Sequence, residues 1–204
     1  MRIITVSREF GSGGREIAKR LSDELGIDYY DREILTAIAE ECLLDEEYVE
    51  EMLNKKLMSN YQLSFSHTFS YVPMLESSIT NVLAQQQKII RELAEKEDCI
   101  IVGRCADIIL EKYKPFRLFV YADMDAKVER CMNRAEEGEN LTKREMEKKI
   151  KQIDKARASY HNVISDYPWG DKRGYNLCIN TTDVDIKKIV PYIARYINEY
   201  FDEQ

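Results

Sequence analysis

The segment Ser7–Arg15 constrains the fold of this chain more than any other. It reads Ser7-Arg8-Glu9-Phe10-Gly11-Ser12-Gly13-Gly14-Arg15, follows the β-branched run Ile3–Val6 and leads into a helical pattern that ends at Gly26. Glycines in such a loop permit positive φ angles and let backbone N–H groups approach an anion, toward which the helix start also directs positive charge. The position predicts a phosphate cradle. The alternative is a tight strand-to-helix turn that binds nothing.

Four further short runs, three of them apolar, predict four more strands, and helical patterns separate them. These runs are Ile27–Tyr30, Cys99–Val102, Leu118–Tyr121 and Leu177–Ile179. Strands that alternate with helices predict an α/β protein with three layers, in which helices cover both faces of a five-stranded parallel sheet. Ligands bind such sheets at the carboxyl ends of the strands, so we expect the chemistry in the loops that follow them.

Length and charge narrow the class of partner. A chain of 204 residues predicts a single domain, residues 1–204, in which the mainly helical stretch 45–97 forms an insertion or mobile lobe. The net charge of −7 disfavours nucleic acid as a partner and favours a small molecule. No run approaches the roughly 18 apolar residues of a membrane span, and Met1–Val6 leads into a strand pattern, so we expect no membrane partner and a cytoplasmic protein.

The five cysteines are odd in number and widely spaced, and they form no Cys-x-x-Cys pair or Cys/His ligand set. We expect reduced thiols that lie mostly in the core, with a reactive or metal-binding cysteine as the alternative. The two histidines, His67 and His161, lie in no pattern typical of a nucleophilic triad, and we expect both to be structural.

Four segments, taken in order, resemble the P-loop nucleoside monophosphate kinases, and among them the cytidylate kinase-like proteins. They are the glycine-rich loop, Tyr29-Tyr30-Asp31-Arg32, Ile101-Val102-Gly103-Arg104 and Asp154-x-x-Arg157. The resemblance implies a P-loop NTPase fold and the transfer of the γ-phosphoryl group of ATP, with Mg²⁺, to a nucleoside monophosphate such as CMP or dCMP. It also implies a lobe for the acceptor at residues 45–97 and a lid at residues 130–157.

The same resemblance implies a role for each candidate site residue. It implies that the donor is held by Gly11, Ser12, Gly13, Gly14, Arg15 and Glu16. The acceptor would be held by Asp31, Arg32, Arg104 and Asp154, and the charge of the transferring group would be neutralised by Arg15, Arg130, Arg134 and Arg157.

The loop departs from a complete Walker A motif, GxxxxGK[ST]. In that motif Lys reaches the β- and γ-phosphates and the hydroxyl binds Mg²⁺, whereas this chain has Gly13-Gly14-Arg15-Glu16. We expect Arg15 to replace the missing charge, Lys19 to point to solvent, and Glu16 either to contact Mg²⁺ or to favour the helix start. The departure keeps two alternatives open: a nucleotide-binding sensor with little or no turnover, and a P-loop kinase for a non-nucleotide small molecule.

Several of these residues also have ordinary structural interpretations. Arg104 could form a salt bridge with Asp107 or Asp31, and Asp31 could serve only as the N-cap of the following helix. Asp154 and Arg157 lie three apart and could pair on one helix face.

The stretch between residues 130 and 157 and the segment 61–74 carry similar alternatives. Arg130 and Arg134 could be exposed helix arginines, and Thr142 with Glu145 predicts a capping box that opens a long helix. The aromatic segment 61–74 favours packing, with a homodimer contact or a base pocket as the other interpretations.

Overall fold

The computed structural model describes residues 1–51, 53, 73–134 and 141–203. The strands are β1 (Ile3–Arg8), β2 (Asp28–Tyr30), β3 (Cys99–Val102), β4 (Phe116–Tyr121) and β5 (Leu177–Asn180). The helices are α1 (Gly14–Leu25), α2 (Glu33–Cys42), α3 (Glu46–Glu51), α4 (Pro73–Lys96), α5 (Ala106–Ile109), α6 (Met124–Met132), α7 (Lys143–Ile164) and α8 (Ile186–Asp202). Short 3₁₀ turns occupy Glu111–Tyr113 and Lys172–Gly174.

The five strands form one parallel sheet, as the sequence predicted, and the structure gives their order as β2-β3-β1-β4-β5. β1 lies in the middle, and its Val6 pairs with Val102 of β3 on one side and Leu118 of β4 on the other. The carboxyl end of β1 therefore lies between those of β3 and β4. This arrangement brings the loops that follow the three strands to one edge of the sheet.

Alternate strand residues supply two apolar cores, one on each face of the sheet. Ile3, Cys99 and Ile101 pack with the buried residues of α2 and α4. Ile4 and Ile100 pack on the opposite face with α1 and α8. Strands that are buried on both faces are typical of parallel sheets covered by helices, and the predicted three-layer architecture is confirmed.

β1 extends two residues further than the sequence pattern indicated. Ser7 and Arg8 pair with Phe119 and Val120 of β4, so they belong to the strand and not to the loop. The position of Arg8 is therefore fixed by the sheet itself.

The predicted N-terminal cap is present in α7 but absent in α2. Thr142 and Glu145 form the predicted capping box at the start of α7. The prediction that Asp31 caps α2 is wrong, because Arg32 occupies the N-cap position and no side chain caps the helix. The carboxylate of Asp31 is instead engaged by two arginines, Arg8 and Arg15.

Two predictions fall outside the described residues. The aromatic segment 61–74 lies there apart from the backbone of residues 73 and 74, and residues 135–140 of the predicted lid lie there too. The acceptor lobe and the lid therefore stay predictions. Within the described part of the chain, no helix is long and apolar enough to cross a membrane.

Candidate functional site

A cleft of about 270 Å³ opens at the carboxyl end of β1, where the glycine-rich loop turns into α1. Its lining residues come from residues 8–15, from α6 and the residues just after it, and from α7: Arg8, Glu9, Phe10, Gly11, Gly13, Gly14, Arg15, Arg130, Cys131, Arg134, Met146, Lys149 and Arg157. Six of these side chains are basic and one is acidic. In a chain of net charge −7 this local excess of positive charge favours an anionic ligand.

The loop is built from glycines because no side chain would fit at two of its positions. Gly11 and Gly13 have φ angles of +77° and +81°, which favour glycine. A Cβ atom at Gly11 would lie 2.8 Å from Sγ of Cys131, and one at Gly13 would overlap Cδ1 of Ile186. The first N–H groups of α1, beginning at Gly14, have no carbonyl partner within the helix, and this is the usual arrangement of an anion site.

Side chains of Arg130, Thr181 and Ser12 donate hydrogen bonds to carbonyl groups of the loop. Arg130 donates from Nη1 to the carbonyl of Gly11 at 2.8 Å and from Nη2 to that of Thr181 at 2.8 Å. The Thr181 hydroxyl donates to the carbonyl of Ser12 at 2.6 Å, and the Ser12 hydroxyl donates to that of Glu9 at 2.8 Å. Arg130 thus lines the cleft and also fixes the loop, while its predicted role in transfer stays a prediction.

A buried lysine joins the loop to α6 and α7. Nζ of Lys127 lies 2.8 Å from Oε2 of Glu9 and 3.2 Å from Oδ2 of Asp154. The other oxygen of Asp154 accepts the N–H of Phe10 at 2.7 Å and lies 3.9 Å from Nη1 of Arg157. Burial raises the pKa of Asp154 even though the Phe10 N–H and Lys127 oppose the shift. Asp154 therefore positions the loop in this structure, and its predicted contact with an acceptor stays a prediction.

Four arginines surround one carboxylate beside the loop. Nη2 of Arg8 lies 3.3 Å from Oδ1 of Asp31, and Arg15 pairs with Oδ2 of the same side chain. Arg157 donates to the carbonyl of Arg8 at 2.9 Å. Burial, together with the nearby charges of Arg157, Arg104 and Arg15, lowers the pKa of Arg8 to about 9 against the opposing effect of Asp31. The cluster carries more positive charge than its carboxylate neutralises.

The turn after β3 brings Arg104 toward this cluster. Gly103, Arg104 and Cys105 all have positive φ angles, of 73°, 56° and 54°, and for the two residues that carry a Cβ this conformation is costly. Burial lowers the pKa of Arg104, which Glu50 and Asp31 oppose. The simple salt-bridge interpretation is not supported, since no carboxylate among the described side chains lies within 4 Å of its guanidinium.

The residues around Arg104 are engaged elsewhere. Asp107 lies 3.1 Å from Nε2 of His161 in a buried pair, so His161 has a structural partner as expected. Nε2 of Gln86 donates to Tyr160 Oη at 2.9 Å and to the carbonyl of Arg104 at 3.4 Å. Burial raises the pKa of Tyr160 to about 12, so it is a neutral phenol at neutral pH.

Two further residues of α1, Glu16 and Lys19, lie toward solvent. Glu16 accepts from Arg20 at 3.0 Å and also pairs with Arg134; these hydrogen bonds lower its pKa although burial opposes them. Lys19 is exposed and pairs with Asp23 at 3.3 Å, so the expectation that it points to solvent is confirmed.

Arg32, another candidate, is exposed, whereas Asp31 is buried. Neither of them lines the cleft, and Arg104 and Asp154 do not line it either. The five cysteines, Cys42, Cys99, Cys105, Cys131 and Cys178, are free, and burial raises the pKa of each thiol. Among the described side chains, no group of three or more His, Cys, Asp or Glu residues could hold a metal ion.

Sequence reasoning missed several residues that build the site. The sequence pattern places Arg8, Glu9 and Phe10 in the loop but indicates no role for them, and it indicates none for Lys127. A pattern analysis that extended β1 to Arg8 would have placed that side chain at the sheet edge. Lys127 carried a weaker signal, a lysine on the otherwise apolar face of α6.

Comparison with known proteins gives a family match over most of the chain. The model of the cytidylate kinase-like family matches residues 3–183. The cytidylate kinase of Thermotoga maritima is 24% identical over an alignment that covers 96% of this chain and 96% of that protein.

Solved structures with the same fold include kinases and a protein described as uncharacterized. The uncharacterized protein, from Eubacterium ventriosum, is 29% identical, with a TM-score of 0.69 over 97% of this chain and 99% of that one. The shikimate kinase of Bacteroides thetaiotaomicron is 14% identical, with a TM-score of 0.58 over 97% of this chain and 98% of its own. At that identity the likeness shows a shared fold, that of the P-loop kinases.

Proposed function

The chain belongs to the cytidylate kinase-like family, and on that premise we propose that it transfers the γ-phosphoryl group of ATP to a nucleoside monophosphate, CMP or dCMP. The observation that carries this proposal is the group of arginines at the carboxyl end of β1. Arg8, Arg15, Arg104 and Arg157 interact electrostatically around the single carboxylate of Asp31, next to the free N–H groups of α1. Two phosphorylated substrates that meet in one site require this kind of charge.

The donor side of the proposed site is the glycine-rich loop. The positive φ angles at Gly11 and Gly13 turn the backbone so that α1 begins with unpaired N–H groups, and Arg15 stands on the first turn of that helix. Backbone N–H groups together with a guanidinium bind phosphate oxygens through charge-assisted hydrogen bonds. In this proposal they hold the β- and γ-phosphates of ATP.

The acceptor side is the neighbouring region after β2 and β3. Asp31 and Arg32 follow β2, and Arg104 follows β3, so these residues meet at the same edge of the sheet as the loop. In our proposal the guanidinium of Arg104 binds the monophosphate of the acceptor and Arg32 approaches it from α2. The acceptor base would lie toward the lobe at residues 45–97.

Catalysis in this proposal is positional and electrostatic. Arg130 lies on α6, Arg134 follows the end of that helix and Arg157 lies on α7; their charges would be near the phosphoryl group that passes between donor and acceptor. Alignment of the two substrates and neutralisation of their charges account for most of the acceleration in phosphoryl transfer, so the protein needs no nucleophile of its own.

Magnesium fits this loop only in part. Bound together with ATP, Mg²⁺ would neutralise part of the charge of the phosphates. The loop lacks the Ser or Thr hydroxyl of a Walker A motif, and the nearby carboxylate of Glu16 is paired with Arg20 and Arg134. We propose that Mg²⁺ enters with ATP, held by phosphate and water. The proposed site is cytoplasmic, where ATP is available and free thiols persist.

A coupled assay of ADP release tests the proposal. The wild-type protein is assayed with ATP, Mg²⁺ and each of CMP, dCMP, UMP, AMP and GMP, and shikimate represents a non-nucleotide acceptor. We expect turnover with CMP and dCMP above the others. Arg15→Ala should lower kcat/KM, whereas Lys19→Ala, on the exposed face of the same helix, should leave it unchanged.

Other outcomes of the same assay would identify the alternatives. Calorimetry that detects ATP binding without ADP release from any acceptor would contradict the kinase proposal and indicate a nucleotide sensor. Turnover confined to shikimate would instead indicate a kinase for a small non-nucleotide acceptor.

A further inference from the structure

We infer that Arg8, the last residue of β1, supplies the phosphate-binding cation that lysine supplies in a Walker A motif. This inference rests on the proposed function, since it concerns the triphosphate that the loop would hold. Three independent observations carry it: the spacing of the motif, the space beside Gly14 and the position of the Arg8 guanidinium.

Aligned with the Walker A motif, this loop has a cation where the motif has its first glycine and a glycine where the motif has its lysine. If Gly13 is taken as the second glycine of GxxxxGK[ST], Arg8 stands at the position of the first glycine and Gly14 at the position of the lysine. Arg15 then stands where the motif has Ser or Thr. A glycine and a cation have thus changed places within one loop, and neither the count of glycines nor the presence of a cation has changed.

The structure shows why the two exchanges occur together. A Cβ atom at Gly14 would lie 2.5 Å from Cβ and 3.0 Å from Cγ of Arg8, and 3.3 Å from Cβ of Val120. The stem of the Arg8 side chain therefore occupies the space that a lysine at residue 14 would need. Arg8 can be accommodated only because residue 14 has no side chain.

The guanidinium of Arg8 depends on a second glycine. A Cβ atom at Gly103 would overlap Nη1 of Arg8 and would lie 2.9 Å from its Cζ. Gly103 N–H donates to the carbonyl of Val6 at 3.0 Å, which keeps this turn close to β1. The turn after β3 thus leaves a space for the Arg8 guanidinium between the loop and Arg104.

The charge of Arg8 is available to an anion. Arg8 lines the cleft, and among the described carboxylates only Asp31 lies within 4 Å of it, at 3.3 Å. That carboxylate is shared with Arg15. A phosphate that enters the cleft would provide the anionic partner that the cluster of arginines lacks, and Arg15 would contact it from the more exposed side.

A swap of the two residues tests this assignment. Calorimetry with ATP and with inorganic tripolyphosphate is carried out on wild type, Arg8→Ala, Gly14→Lys and the double variant Arg8→Gly/Gly14→Lys. Arg195→Ala, which removes an exposed side chain of α8, is the control. We expect Arg8→Ala to weaken both affinities by about tenfold or more, and the double variant to restore them to within about threefold of wild type. Gly14→Lys alone should bind poorly because its side chain and Arg8 compete for one space.

The possible results separate this inference from the proposed function. If the wild type turns over CMP and Arg8→Ala binds ATP as tightly as the wild type does, the assignment of Arg8 is wrong and the kinase proposal stands. If tripolyphosphate binding depends on Arg8 but no acceptor yields ADP, the assignment stands and the kinase proposal is wrong. A wild type that binds neither ligand overturns both.

Circular dichroism and thermal unfolding accompany each variant. Should Arg8→Ala not fold, Arg8→Lys and the double variant decide the matter. A folded double variant whose binding remains as weak as that of Gly14→Lys contradicts the exchange.

Discussion

The carboxylate of Asp31 is divided between two arginines: Oδ1 lies 3.3 Å from Nη2 of Arg8, and Oδ2 pairs with Arg15. Arg8 comes from the end of a central strand and Arg15 from the first turn of α1. One acidic side chain, which follows β2, therefore forms ion pairs with residues on both sides of the glycine-rich loop. In the absence of a ligand, this carboxylate provides the negative charge at the centre of the cluster.

Replacing Asp31 by Asn should lower the stability of the ligand-free protein and increase the stabilisation that anions provide. The substitution leaves Arg8 and Arg15 without their carboxylate, and loss of hydrogen bonds to charged groups costs about 1.5–3 kcal/mol. At this chain length we expect the Tm to fall by roughly 2–4 °C for each kcal/mol. Tripolyphosphate should then raise the Tm of the variant by more than it raises that of the wild type, because the variant has a larger excess of positive charge. Equal increments in differential scanning fluorimetry would contradict this account.

Gly103→Ala should damage the site more than its backbone strain explains. Its φ of +73° resembles the +64° of Gly26, so alanine at either position costs about 1–2 kcal/mol. A Cβ at Gly26 meets nothing within 4 Å, whereas one at Gly103 overlaps the Arg8 guanidinium. We expect both variants to lose similar stability in urea unfolding but only Gly103→Ala to lose affinity for ATP. If Gly26→Ala loses the same affinity, the explanation through Arg8 is wrong.

Lys127→Met should be among the most destabilising substitutions in α6. Methionine keeps much of the side-chain volume but leaves Glu9 and Asp154 without the buried cation between them. Breaking a buried ion pair by removal of one partner typically costs about 3–5 kcal/mol. Lys19→Met, whose partner Asp23 is exposed, should change stability by less than about 0.5 kcal/mol. Urea unfolding of both variants checks the difference, and similar losses would refute it.

The bond between Arg2 and Asp98 should give a pH-dependent contribution to stability. Hydrogen bonds from the Arg2 side chain and N–H, both at 2.7 Å, outweigh the opposing effect of burial and lower the pKa of Asp98 below its ordinary 3.8. A lowered pKa stabilises the fold above the ordinary value, and this stabilisation is lost as the pH falls toward the folded-state value.

Asp98→Asn should therefore cost about 1 kcal/mol at neutral pH and progressively less below pH 3.8. Urea unfolding of wild type and variant at neutral pH and at a pH below 3.8 measures the difference. A cost that stays constant across this range would show that the charge of Asp98 is not its source.

The strands and the position of the cleft could be predicted from the sequence because both depend on local patterns. Short runs rich in apolar or aromatic residues identified each strand of the sheet, and the glycine-rich loop between Val6 and the first helix identified the edge at which the cleft lies. The capping box of Thr142 and Glu145 is another local interaction, and it too was predicted correctly.

The parts that sequence reasoning missed depend on contacts between residues far apart in the chain. Asp31 satisfied the pattern of an N-cap, but two guanidinium groups brought in by other elements bind its carboxylate more favourably than an N–H group does. Lys127 became part of the site only when folding placed it between Glu9 and Asp154. No local pattern carries that information.

The hydrogen bonds from Thr181 and Arg130 to the loop determine when, during synthesis, the contacts of the loop can form. During synthesis the residues of the loop are made well before Arg130 and Thr181, whose side chains donate to two of its carbonyl groups. A nascent chain that has not yet reached residue 181 lacks the Thr181 hydrogen bond to the carbonyl of Ser12, so its loop has one fewer of these constraints. The loop therefore acquires its full set of hydrogen bonds only after the residue that follows β5 has reached it.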